Sequence, residues 1–167
     1  MFDSALVEKA QSTLEHCRQR SLTLATAESC TGGLIAGLFT EIAGSSDVVD
    51  CGFVTYSNRA KQAMLGVPEE MLRAHGAVSE PVARAMAEGV LANSPVDIAL
   101  AVTGIAGPGG GSDAKPVGLV YLAAGRRGAS IAVEHHVFDG DRQAVRMATV
   151  ARALELAFSL SQAARPA

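Results

Sequence analysis

The sequence predicts an α/β protein, a three-layer α/β/α sandwich around a mixed, mostly parallel sheet, with residues 1–167 forming one domain. Three observations carry this. Segments with helical spacing alternate with short apolar segments along the chain. Val96–Val102 is a nearly continuous apolar run, the pattern of a strand buried on both faces. The last two strand-like segments are joined by a short turn, so they form a hairpin and make the sheet mixed.

Taken in order, Asp3 or Ser4 caps a first helix to about Gln19, with Leu6, Val7, Ala10, Leu14 and Cys17 on one face. A strand from Leu22 runs into the turn Glu28–Gly33, and a helix follows from Leu34 to about Ile42. Gly44-Ser45-Ser46 breaks that helix. Cys51–Tyr56 reads as the second strand. Ser57 or Asn58 caps a short helix through Leu65, stopped by Gly66-Val67-Pro68, and another spans about Glu69–Ala74. Ser79-Glu80-Pro81 opens a longer helix to about Leu91, with proline tolerated in its first turn. The Val96 strand empties into a glycine-rich loop, Thr103–Ser112. Strands at about Val117–Ala124 and Ile131–Phe138 are joined at Gly125–Gly128, and a last helix runs from Asp141 to about Ala163.

Composition narrows the function. Hydrophobic residues make up 49%, aromatics 4%, and tryptophan is absent, so Ala, Val, Leu and Ile must fill the core. The apolar surplus points to a second subunit. A net charge of −3 argues against a nucleic-acid surface, which carries a basic excess. No apolar run is long enough for a membrane span. The first fifteen residues carry Asp3, Glu8, Lys9 and Glu15, unlike a signal peptide. Three cysteines (Cys17, Cys30, Cys51) without C-x-x-C spacing suggest neither a disulfide frame nor a zinc site, and so a reduced, cytoplasmic protein.

The chemistry centres on Glu28-Ser29-Cys30-Thr31-Gly32-Gly33, where a strand turns directly into a helix. Such a turn aims free N–H groups at one point. It can serve a nucleophilic Ser29 as an oxyanion hole, or it can merely cap the helix or hold a phosphate. The four histidines (His16, His75, His135, His136) have no metal-binding spacing, and His135 and His136 face opposite sides of a strand, so no Ser-His-Asp triad is indicated. A desolvated lysine is the other base open to a serine. Of Lys9, Lys61 and Lys115, Lys61 follows the end of the second strand, which would bring it and Tyr56 near Ser29 if the two strands are neighbours. The alternative is a solvated surface lysine. Cys30 is a rival nucleophile at the same helix start; neighbouring side chains point apart, and cysteine's habit of burial favours Ser29. The glycine-rich loop matches no P-loop or dinucleotide fingerprint. Arg142 and Arg146, one turn apart at the start of the last helix, suit a phosphate, Arg146 less because the dipole fades beyond the first turn.

Several stretches together resemble one family. They are Thr26-Ala-Glu-Ser-Cys-Thr-Gly-Gly33, Gly52-Phe-Val-Thr-Tyr-Ser-Asn58 with Lys61, His75-Gly-Ala-Val-Ser-Glu-Pro81, Thr103-Gly-Ile-Ala-Gly-Pro108, Lys115-Pro-Val-Gly118 and Phe138-Asp-Gly-Asp-Arg142. In this order and over nearly the whole chain, they resemble the C-terminal domain family of the competence/damage-inducible protein CinA. The CinA N-terminal domain has no counterpart here, so the chain looks like the stand-alone form, a nicotinamide-nucleotide amidohydrolase. The resemblance implies hydrolysis of the nicotinamide mononucleotide amide, with Ser29 as nucleophile, Lys61 as base and Tyr56 beside them. It places Thr31, Gly32, Gly33, Ser46, Thr103, Gly104, Gly107 and Arg142 on family motifs near the substrate. It implies no metal and no cofactor; the expected partners are the small-molecule substrate and a second copy in a homodimer, with no nucleic acid and no membrane. The reading of a different class is a non-catalytic nucleotide-binding module.

Overall fold

Five strands, β1 (Leu24–Glu28), β2 (Val49–Val54), β3 (Ile98–Gly104), β4 (Leu119–Arg126) and β5 (Ala132–Val137), form one sheet in the order β2-β1-β3-β4-β5 in a computed structural model that describes residues 2–163. β1 pairs in parallel with both β2 and β3, while β3–β4 and β4–β5 are antiparallel, so all strands but β4 run the same way. Helices α1 (Ser4–Gln19), α2 (Leu34–Thr40), α3 (Asn58–Leu65), α4 (Glu69–His75), α5 (Glu80–Asn93) and α6 (Arg142–Gln162) cover its two faces. The α/β/α sandwich expected from the sequence is the fold observed.

Local chemistry sets most of the boundaries. Asp3 accepts from the Leu6 amide, Ser57 from Ala60 and Asp141 from Ala144, three side-chain N-caps at the helix starts that the residue types predict. The strand ends differ more. β2 begins at Val49 and stops at Val54, two residues earlier than its composition suggests. β3 runs on to Gly104 because β4 continues the ladder, Thr103 opposite Tyr121 and Gly104 opposite Val120. Thr103 and Gly104 are therefore strand residues, not part of a loop. β4 likewise extends to Arg126, so the hairpin turn starts later than Gly125.

Strand alternation divides the core in two. Leu24, Ile98, Leu100, Val102, Val120 and Leu122 face α1, α2 and α6. Ala25, Ala27, Ala99, Ala101 and Ala123 face the α3–α5 side, with Val82, Ala83, Met86, Ala87 and Val90 of α5. The aromatic-poor composition is thus used as a nearly all-alanine sheet face against an alanine-rich helix. At Gly89 the fit is tightest: a Cβ there would lie 2.2 Å from the Leu65 carbonyl oxygen at the end of α3. Gly89→Ala must push the two helices apart, and we expect a loss of about 1–3 kcal/mol in denaturant unfolding; unchanged stability would refute this packing.

The parallel arrangement places the C-terminal ends of β1, β2 and β3 side by side at one edge of the sheet, where sites in such folds gather. Ser29 follows β1, Thr55 follows β2, and the glycine-rich loop follows β3. Ser46 lies in a short 3-10 turn (Ser45–Asp47) that leads into β2, and Val49 pairs with Leu24 at the start of β1. It sits at the opposite end of the sheet. The expectation that Ser46 lines the site is therefore corrected: a residue before a parallel strand lies at the other end from residues that follow one.

Candidate active site

Glu28, the last residue of β1, points to the α2 side of the sheet and is 1% exposed. Its carboxylate accepts from the Gly33 and Ile35 amides at 3.0 and 3.1 Å and from Ala36 N at 2.8 Å. The Thr31 and Thr26 hydroxyls complete the set at 2.6 and 3.3 Å. The helix start has a glycine N-cap, Gly33, at φ +97° with no side chain to offer, and Glu28 supplies the missing acceptor. This corrects the expectation that amides at the start of α2 face a substrate. Gly32 N donates to Ser29 O and Leu34 N to Thr31 O, while Ser29 N is held by Val102 O. The Cys30 and Thr31 amides face the Cys30 sulfur.

Thr55 N bonds to Glu28 O, fastening the chain after β2 against the turn, and Ser57 then caps α3. One turn into α3, Lys61 is carried back under the turn and is 1% exposed. Its Nζ lies 2.9 Å from Ser29 Oγ and donates to the Thr55 carbonyl at 2.7 Å. Among the described residues no carboxylate pairs with it, and burial pushes its ammonium down to about 8. The exposed Arg59 has no part in that shift. Cys30 is 5% exposed and packs into the core, where burial pushes its thiol up to about 11. Ser29 thus faces the lysine while its neighbour faces inward as a protonated thiol.

The other expected residues distribute unevenly. Tyr56 does not join the Ser29–Lys61 pair: Thr55 turns inward, so Tyr56, next along an extended segment, turns outward and is 60% exposed. Its hydroxyl accepts from Arg142 Nη2 at 2.8 Å, and Arg142 Nη1 donates to Gly107 O at 2.9 Å. Arg142, Tyr56 and Gly107 therefore form one cluster. Thr31 is fully buried with its hydroxyl on Glu28, and the Gly33 amide is held there too. Gly32, at φ +61°, stays exposed on the turn. Thr103 is buried and donates to Ala77 O, and a Cβ on Gly104 would sit 2.8 Å from Leu119 O, so both are packed at the end of β3.

The profile of the family described as CinA C-terminal domain matches residues 6–160. The chain belongs to that family. A "CinA-like protein" from Akkermansia muciniphila is 53% identical over 150 residues, covering 90% of this chain and 36% of that protein. The chain spans about a third of the length of the CinA-like relatives it matches, as it does for the Syntrophobacter fumaroxidans protein at 33%. A shorter relative, named "Nicotinamide-nucleotide amidohydrolase PncC" in Escherichia coli, is 50% identical over 156 residues, covering 93% of this chain and 94% of that one. The crystal structure of competence/damage inducible protein CihA from Agrobacterium tumefaciens superposes with a TM-score of 0.94 at 51% identity, over 97% of this chain and 99% of that one.

In this CinA-family fold a cleft of about 750 Å³ opens beside the Ser29 turn. Leu34, Pro108, Val117 and Met147 supply apolar walls, and Arg142 and Arg146 supply charge. Ser29 itself is not among the lining residues; Arg146 connects the two, donating to Cys30 O at 3.1 Å and Thr31 O at 2.8 Å. Two features escape the sequence. Arg146 reads as a second phosphate ligand by spacing, yet it clamps the turn across a separation of 116 residues. Glu28 reads as part of a polar turn; the signal that could have found it is an acid closing an apolar strand before a helix with no capping side chain.

Proposed function

We propose that this chain hydrolyses the carboxamide of nicotinamide mononucleotide to nicotinate mononucleotide and ammonia, with Ser29 as nucleophile and Lys61 as base. The observation that carries the reading is the buried, carboxylate-free Lys61 amine 2.9 Å from Ser29 Oγ; the half-identical amidohydrolase from E. coli supplies the substrate. Neutral Lys61 takes the Ser29 proton as Oγ bonds to the carboxamide carbon. Lys61 returns the proton to nitrogen, the C–N bond breaks, and ammonia leaves an acyl-serine. Water, losing a proton to Lys61, attacks that ester and releases the acid and the serine. The net change is one water consumed and one ammonia released per substrate.

The test is ammonia release from nicotinamide mononucleotide by the purified chain. Binding without release would make it a nucleotide-binding module instead. The reading treats residues 1–167 as one catalytic domain, in a reduced cytoplasmic setting that suits three free cysteines, and as a homodimer, which light scattering checks. Among the described residues no helix is long and apolar enough to cross a membrane.

We place the substrate phosphate at Arg142, which lines the cleft. Arg142→Ala is expected to remove about 1.5–3 kcal/mol of binding, raising KM for the mononucleotide roughly ten- to a hundredfold while hardly changing turnover of nicotinamide riboside. Equal losses on both substrates would move the phosphate elsewhere. Arg146→Ala should instead lower kcat, because Arg146 holds the Cys30 and Thr31 carbonyls. This reverses the order of importance expected from the helix dipole alone.

A further inference from the structure

Resting on the nucleophile reading above, we infer that Glu28 is a positioning residue for the reaction: its carboxylate, by collecting five donors from β1, the turn and the start of α2, fixes the Ser29 side chain toward Lys61. The five donors span residues 26–36, before and after the nucleophile, and converge on one side chain that solvent does not reach. Gly32 and Gly33 both take positive φ, so these two positions have no side chain to hold the turn's shape. Without an internal anion the Gly33, Ile35 and Ala36 amides would seek another acceptor.

The carboxylate cannot be replaced by its amide. Oε1 takes one backbone amide (Ala36) and Oε2 takes two (Gly33 and Ile35). Threonine hydroxyls can rotate to accept, but a backbone N–H cannot. Either orientation of a glutamine thus sets an NH2 group against at least one backbone N–H.

The test compares wild type with Glu28→Gln and Thr31→Val, the latter removing only the 2.6 Å hydroxyl bond. Each is assayed for ammonia release across pH and for Ser29 labelling by a fluorophosphonate. Glu28→Gln should lose about a hundredfold in kcat, the cost of a small misplacement at the reacting atoms. KM should stay within about threefold, because the cleft arginines are untouched. The rise of kcat/KM with pH should keep the wild-type midpoint, since Lys61 stays buried; general loosening of the fold would move it toward that of a free lysine. Thr31→Val should fall about three- to tenfold in kcat, as for one lost hydrogen bond, again at unchanged KM. If Glu28→Gln does not fold, Thr31→Val decides alone. A kcat within about twofold of wild type for Thr31→Val, or threefold for a folded Glu28→Gln, overturns the inference, and so does a displaced pH midpoint. Should wild type label at Ser29 yet release no ammonia, the substrate reading fails separately, and labelling rates take the place of kcat with the same thresholds. Should wild type fail to label and fail to turn over, the nucleophile reading falls and this inference with it.

Discussion

Ser29→Ala is expected to abolish deamidation, with kcat falling at least about a thousandfold, while nicotinamide mononucleotide still binds within about threefold of its wild-type affinity. The hydroxyl removed is the group Lys61 is poised against, and nothing else in the turn can replace it. Cys30 is the nearest alternative, but its thiol is buried and held near 11, so it is neither reachable nor ionised at neutral pH. Cys30→Ala should therefore keep most of the turnover and lose some stability, as expected when a well-packed core residue is truncated. Steady-state ammonia release together with calorimetric binding checks both variants. Normal turnover in Ser29→Ala with a dead Cys30→Ala would transfer the nucleophile to Cys30.

Lys61→Arg should be as inactive as Lys61→Ala, because a guanidinium cannot give up its proton in this range. The wild-type rate should climb with pH through an ionisation near 8 and level off above it, since only the neutral amine can accept the serine proton. At pH 7 about a tenth of the molecules carry the active form. The same burial makes the charge costly to the fold. Lys61 binds its proton less tightly folded than unfolded, so the unfolded chain holds more protons between about 8 and 10.5, and stability rises with pH across that window. Lys61→Met should accordingly melt above wild type at pH 7, with the difference shrinking toward pH 10. A pH-independent rate, or an active Lys61→Arg, would remove the lysine from the mechanism.

Much of the fold was legible in the sequence because it rests on local chemistry. Asp3, Ser57 and Asp141 cap the helices their types predict, and the apolar run at Val96–Val102 is a strand buried on both faces. The strand ends were not legible. β3 includes Thr103 and Gly104 only because β4 pairs with them, and no pattern within 98–104 contains that partner. The same division runs through the site. Ser29 and Lys61 are visible as a strand-end serine and a lysine after the next strand, and parallel neighbours bring their ends together. Tyr56 was misplaced by one step of strand alternation, and Ser46 by lying before β2 rather than after it.

The sequence by itself determined the α/β/α class, the order of its elements and the family, since periodicity, caps and contiguous motifs are properties of neighbouring residues. The tertiary structure alone decided what the polar groups do once water is excluded. Lys61 is an ordinary lysine until Thr55, Ser29 and the core close around it. Glu28 is an ordinary acid until the Gly33, Ile35 and Ala36 amides have nowhere else to turn, and Arg146 is a surface arginine until Cys30 and Thr31 present their carbonyls. Desolvation makes each of these groups depend on a few partners distant in the chain, and that dependence arises only when the elements pack.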